Sequence, residues 1–114
     1  MRHETKKISR IVDEIMTLLL KEDTNEVDFK IKRVKNKTTI NIIDYGTHFD
    51  NDCIEQFRST LNAQRQWEVE EYYRQLAGEN DCDEELMLVG AMIDEAKVEK
   101  KDGNLYIELI RYCK

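Results

Sequence analysis

Near the start of the chain Ile8, Ile11, Val12, Ile15, Leu18 and Leu19 share one face of a 3.6-residue period. The pattern predicts a helix from about residue 5 to Lys21, with Thr5 placed to cap its start. The period then changes to two. Val27, Phe29 and Ile31 alternate with Asp28, Lys30 and Lys32, which predicts a strand with one solvated face. Lys35-Asn36-Lys37 is a tight turn, and residues 38–43 form the returning strand, with Ile40 and Ile42 on one face. Together they make a hairpin.

Beyond Asp44 the helical period returns. Asp52 and Glu55 have capping-box spacing, with Asp in the Ser/Thr role, ahead of a short stripe of Ile54, Phe57 and Leu61. Residues 62–66 are polar. Trp67, Val69, Tyr72, Tyr73 and Leu76 predict a second helix or a bent extension of the first, and Gly78 stops it within a loop over 77–83. Leu86, Val89, Met92, Ile93 and Ala96 mark a further helix that passes through Asp94-Glu95 into a strand over 96–100. Asp102-Gly103-Asn104 turns the chain, and Leu105, Ile107 and Leu109 alternate along a last strand. Two hairpins among helices favour an α+β fold, a two-layer sandwich with a four-stranded, mostly antiparallel sheet and helices on one face. At 114 residues this is one domain, 1–114.

Composition narrows the possible partners. A formal charge of −6 argues against nonspecific nucleic-acid binding, and the clusters Arg2/Lys6/Lys7/Arg10, Lys30/Lys32/Arg33 and Lys35/Lys37 each have acids nearby. Cys53, Cys82 and Cys113 are far apart and form no C-x-x-C pair, which suits reduced thiols in a cytosol rather than a disulfide framework or zinc site. No segment has the length of a membrane span, and the start is amphipathic rather than signal-like. A cytoplasmic protein is expected.

At Ile42-Ile43-Asp44-Tyr45-Gly46 an apolar strand runs into an Asp-x-Gly turn. An aspartate at a strand exit can present its carboxylate at a pocket rim, and a glycine two residues on lets a flat ligand approach. The alternative is a turn residue that caps local N–H groups.

Two longer stretches give this turn a context. Thr39-Ile40-Asn41-Ile42-Ile43-Asp44-Tyr45-Gly46 with Phe49-Asp50 resembles the first glycine-box strand of the gyrase/histidine-kinase (GHKL) ATPase superfamily. Leu86-x-Leu88-Val89-x-x-Met92-Ile93-Asp94-Glu95-Ala96-x-Val98-Glu99, followed by Asp102-Gly103, resembles the end of such domains. The nearest likeness is to the small bacterial anti-sigma-factor serine kinases. The resemblance implies a reduced histidine-kinase ATPase-type fold, with Asp44 and Gly46 at the adenine contact. It implies a Glu, and four residues later a Mg²⁺-binding Asn, in the first helix. Glu14 fits the first of these, but Leu18 stands where the second belongs and cannot hold Mg²⁺. His48 replaces the second glycine of the Asp-x-Gly-x-Gly motif, and Asp83 and Glu85 replace two glycines of the phosphate loop. Glu79, Asp81, Asp83, Glu84 and Glu85 put five carboxylates where a triphosphate would sit, within a Debye length of about 8–10 Å.

The expected function is thus a non-catalytic regulatory module that acts through protein contacts, its nucleotide site at Asp44 and Gly46 vestigial and without a cofactor. An ATP-binding anti-sigma-type kinase or nucleotide switch is the first alternative, and a structural homo-oligomer built on the 67–76 segment is another. Trp67, Tyr72 and Tyr73 either fill the emptied cleft or form a docking patch for a partner. The remaining constellations have plain structural readings. Glu14 is expected as a solvated helix-face acid. Asp50-Asn51-Asp52 is expected as a helix cap rather than a calcium loop, His3 and His48 lack a second ligand at metal spacing, and the cysteines lack a basic partner.

Overall fold

A computed structural model describes residues 2–62 and 82–112. Its elements are α1 (Arg2–Lys21), β1 (Glu26–Val34), β2 (Lys37–Tyr45), α2 (Asn51–Leu61), α3 (Cys82–Met92), β3 (Glu95–Lys101) and β4 (Asn104–Tyr112). The four strands form one antiparallel sheet in the order β1-β2-β4-β3, so the two hairpins meet at the β2–β4 seam. This is the expected two-layer α+β sandwich. Trp67, Tyr72 and Tyr73, and the helix expected around them, lie outside the described residues. Among the described residues no helix is long and apolar enough to cross a membrane.

Both hairpins close with two residues. Asp102 and Gly103 carry φ values of 54° and 81°, the left-handed pair that a type I′ turn needs, and Lys101 faces Asn104 across it. At the other hairpin Lys35 takes φ 54°, and Lys37 already belongs to β2 opposite Val34. Strand β2 alternates without a break: Thr38, Ile40, Ile42 and Asp44 are buried, and their neighbours are more exposed. Against that face α1 sets Ile8, Ile11, Ile15, Leu18 and Leu19, α2 sets Ile54, Phe57 and Leu61, and α3 sets Leu86, Val89 and Met92.

Several boundaries differ from the sequence reading; α3 starts at Cys82, inside the loop expected over 77–83, and ends at Met92, short of Ile93 and Ala96. α1 begins at Arg2, so Thr5 lies inside the helix and is not its cap. α2 is capped by Asp50, whose side chain accepts from the Cys53 N–H at 2.8 Å; Asp52 sits in the first turn instead. β2 continues through Asp44 and Tyr45, because both residues have partners on β1, and Asp44 has one on β4 as well.

Polar side chains also join the layers, Arg58 and Arg111 among them. Arg58 of α2 donates from Nε and a terminal nitrogen to the Val98 carbonyl of β3, at 3.1 and 2.6 Å. Arg111 of β4 is 1% exposed. Its Nε donates to Glu4 Oε2 at 2.6 Å, one terminal nitrogen to Glu4 Oε1 at 3.1 Å, and the other to the Met92 carbonyl at the end of α3. Where α3 crosses α2, Gly90 supplies the clearance: a Cβ there would stand 2.5 Å from the Thr60 carbonyl oxygen.

Gly90→Ala should therefore lose about 1–3 kcal/mol of stability in urea unfolding, although alanine is the better helix former by about 1 kcal/mol. Arg111→Ala should lose about 3–5 kcal/mol, because it removes the buried guanidinium and leaves the half-buried Glu4 carboxylate and the Met92 carbonyl without it. The double variant Arg111→Leu/Glu4→Leu should recover most of that loss in the same assay.

Candidate functional site

Asp44 is the most isolated polar group of the described core. It is 1% exposed, and neither carboxyl oxygen has a hydrogen-bond partner. Its position follows from the pleat. In β2 the even-numbered side chains from Thr38 onward face the helices, so Asp44 continues the row of Ile40 and Ile42. Across the sheet it lies between Val27 of β1 and Leu105 of β4, with Lys100 of β3 beyond Leu105. At normal strand spacing the backbones of Lys100 and Asp44 are about 10 Å apart, and Lys100 gives neither Asp44 oxygen a hydrogen bond. The Lys100 ammonium donates instead to the Phe49 carbonyl at 3.2 Å.

The turn role envisaged for Asp44 belongs to its neighbours. Gly46 takes φ +64°, and its N–H donates to Asn104 Oδ1 at 2.9 Å. The Thr47 N–H donates to the Gly103 carbonyl at 2.9 Å, and Thr47 Oγ1 accepts from the Phe49 N–H at 3.2 Å. The exit of β2 is thus held by the β3–β4 hairpin, and Asp44 takes no part in capping it. A Cβ at Gly46 would meet nothing within 4 Å, so the backbone there borders open space. Phe49 packs edge-on against Phe57, with ring centroids 4.7 Å apart, and fixes the start of α2.

The residues expected around phosphate and metal have other occupations. Leu18 is 1% exposed and belongs to the core, where it offers no ligand atom. Glu14 is not the solvated acid expected: its side chain is 13% exposed, and Oε2 lies 2.7 Å from Arg10 Nε. That contact is ionic but lacks hydrogen-bond geometry, since Arg10 Nε counts among the buried atoms without a hydrogen-bond partner. His48 is exposed on the loop before α2. Asp83, Glu84 and Glu85 lie in the opening turn of α3, while Glu79 and Asp81 lie outside the described residues. Among the described residues no three His, Cys, Asp or Glu side chains come together as a metal-binding group.

No protein-family model, curated protein or solved structure matches this chain. Sequence reasoning singled out Asp44 from its motif but not its burial. It missed Arg111 altogether, because an arginine near the end of an alternating strand looks like any solvated edge residue.

Cys53, half-buried in the first turn of α2, has its thiol pKa held above the ordinary 9.0, first by its hydrogen bond with the Asp50 side chain and then by burial. In the folded protein at neutral pH, Cys53 should react with iodoacetamide several-fold more slowly than in the urea-unfolded chain. Peptide mass spectrometry separates it from the other two cysteines.

Proposed function

We propose that this protein is a non-catalytic regulatory module on an ATPase-type frame, which keeps a hydrogen-bond-accepting ligand position at Asp44 and acts through protein contacts in a bacterial cytosol. The single observation that carries this reading is the unpartnered carboxyl group of Asp44. A buried polar group without a partner costs about 1–3 kcal/mol, and a carboxylate costs more. A ligand that brings an N–H donor removes that cost on binding. An exocyclic amino group on a flat heteroaromatic ring, as in adenine, has the required donor, and the side-chain-free backbone at Gly46 leaves room beside it.

Catalysis is not supported by the residues around this position. Phosphoryl transfer depends on metal-neutralised phosphates and an oriented nucleophile. Leu18 supplies no metal ligand, Glu14 is engaged by Arg10, and the chain from residue 79 to 85 is acidic. The net charge of −6 and the separated cysteines support a protein partner in a reducing compartment over a nucleic acid.

Calorimetric titration with adenosine, AMP and ATP, each with and without Mg²⁺, tests the reading. The expected result is binding of the purine ligands that is insensitive to Mg²⁺ and lost in Asp44→Leu, which has no acceptor atom. In the absence of ligand the same variant should be more stable than the parent by about 1–3 kcal/mol, because an apolar side chain of similar shape replaces the unpartnered buried carboxyl group. Mg²⁺-dependent ATP turnover would overturn the non-catalytic assignment. Absence of binding by all three ligands, together with no gain in stability in Asp44→Leu, would overturn the ligand position itself.

A further inference from the structure

Strand β1 is an outer strand of the sheet, and among the described residues only β2 pairs with it. Val34 and Lys37 close the two-residue hairpin as a hydrogen-bonded pair, so the even-numbered residues of β1 turn their main-chain groups toward β2. Val27, Phe29, Ile31 and Arg33 turn theirs outward. A nine-residue edge of this kind, without proline or a bulge, is a template for another strand.

The side chains specify which strand. Around Phe29 the order is Glu26-Val27-Asp28-Phe29-Lys30-Ile31-Lys32, with acids before the aromatic residue and bases after it. Reversed against a second copy about Phe29, Asp28 stands opposite Lys30 and Glu26 opposite Lys32, each pair occurring twice by symmetry. On the other face Val27 meets Ile31, and Phe29 meets Phe29. This register also pairs residues whose outward main-chain groups face one another, as an antiparallel ladder requires. An axis moved to Lys30 would set that lysine against its own copy and Val27 against Arg33. In-register parallel pairing would set every charge against its like.

We propose that two copies of this chain join edge to edge through β1, antiparallel and centred on Phe29, so that four strands from each form one eight-stranded sheet. The twofold axis stands perpendicular to the sheet and leaves both helical layers on the same side. On that side each copy has apolar surface to cover. Ile31 is 47% exposed, and Val27 and Phe29 are only partly buried. α2 packs on β3, and α3 lies between α2 and α1, so α1 stands on the β1 side. On α1, Met16 and Leu20 are 37% and 56% exposed. Val27, beside Asp44 in the sheet, then borders Ile31 of the second copy, so association closes the outer side of the Asp44 row.

Sedimentation of the full chain over a concentration series tests the pairing, with circular dichroism to confirm that each variant folds. The parent should show a monomer–dimer equilibrium. Lys30→Glu should weaken dimerisation about tenfold or more, because it turns two opposite-charge cross-strand pairs into like-charge pairs. The exchange variant Asp28→Lys/Lys30→Glu should restore it. If that variant does not fold, the exchange Glu26→Lys/Lys32→Glu supplies the same comparison. A monomer at every concentration would overturn the proposal, as would a dimer indifferent to Lys30→Glu or a folded exchange variant that stays monomeric.

Discussion

Arg111 holds a guanidinium out of water, and the layers of this protein are arranged around what that group requires. An arginine side chain has five N–H donors and no acceptor, so a buried one must be surrounded by oxygens. Here they come from opposite ends of the chain. Glu4 of the first helix supplies two carboxylate oxygens, and the last residue of α3 supplies its main-chain carbonyl. Each contact also settles a structural problem for its partner. The Met92 carbonyl is one of the C-terminal groups that a helix leaves unbonded, and Glu4 lies near the helix end where negative charge is favoured. The planar fork fixes direction as well as distance, so α1, α3 and β4 are locked in register by one residue. Apolar packing in the rest of the sandwich fills the volume that this clamp and the Arg58–Val98 bond set out.

Asp44 shows the opposite principle. It lies on the same face of the same sheet and is as deeply buried as Arg111, yet its two oxygens have no donors. Native interiors satisfy nearly all such groups, and the exceptions tend to mark places where stability gives way to recognition. The loop beside it is fully organised: Gly46 and Thr47 are bonded to the β3–β4 hairpin, and Phe49 is seated on Phe57. The unsatisfied carboxyl is therefore not part of a loosely packed region. It is one open position in an otherwise bonded frame, which is how a preorganised acceptor site is built.

At its margin the sheet presents a different kind of open valence. The main-chain groups of β1 that point away from β2 are unpaired among the described residues, and the apolar face of that strand is only partly covered by α1. Proteins commonly protect such an edge with lysines, and Lys30 and Lys32 do so against indiscriminate pairing. Because Glu26 and Asp28 precede them on the same strand, the protection is selective. It repels strands in the wrong register and favours the reversed copy about Phe29.

The sequence by itself determined most of the described elements and the layer architecture, since both depend on local periodicity. Ile8 to Leu19 follow one helical face, Val27 to Ile31 and Leu105 to Leu109 alternate, and Asp102-Gly103 suits only a tight hairpin turn. These patterns are sufficient because a stripe or an alternating face has few ways to leave water. The same local logic failed at caps and strand ends. Asp50 and Asp52 are equivalent as candidates until the helix start is known, and Thr5 resembles a cap only if the helix begins after it. The environment of polar side chains was decided by tertiary structure alone. Glu4 and Arg111 are separated by nearly the whole chain, and no short-range pattern marks them as partners. Asp44 looks like an ordinary turn residue until pairing on both sides carries β2 past it and turns its side chain inward. Burial of a polar group depends on what folds over it, and that is a property of contacts distant in sequence.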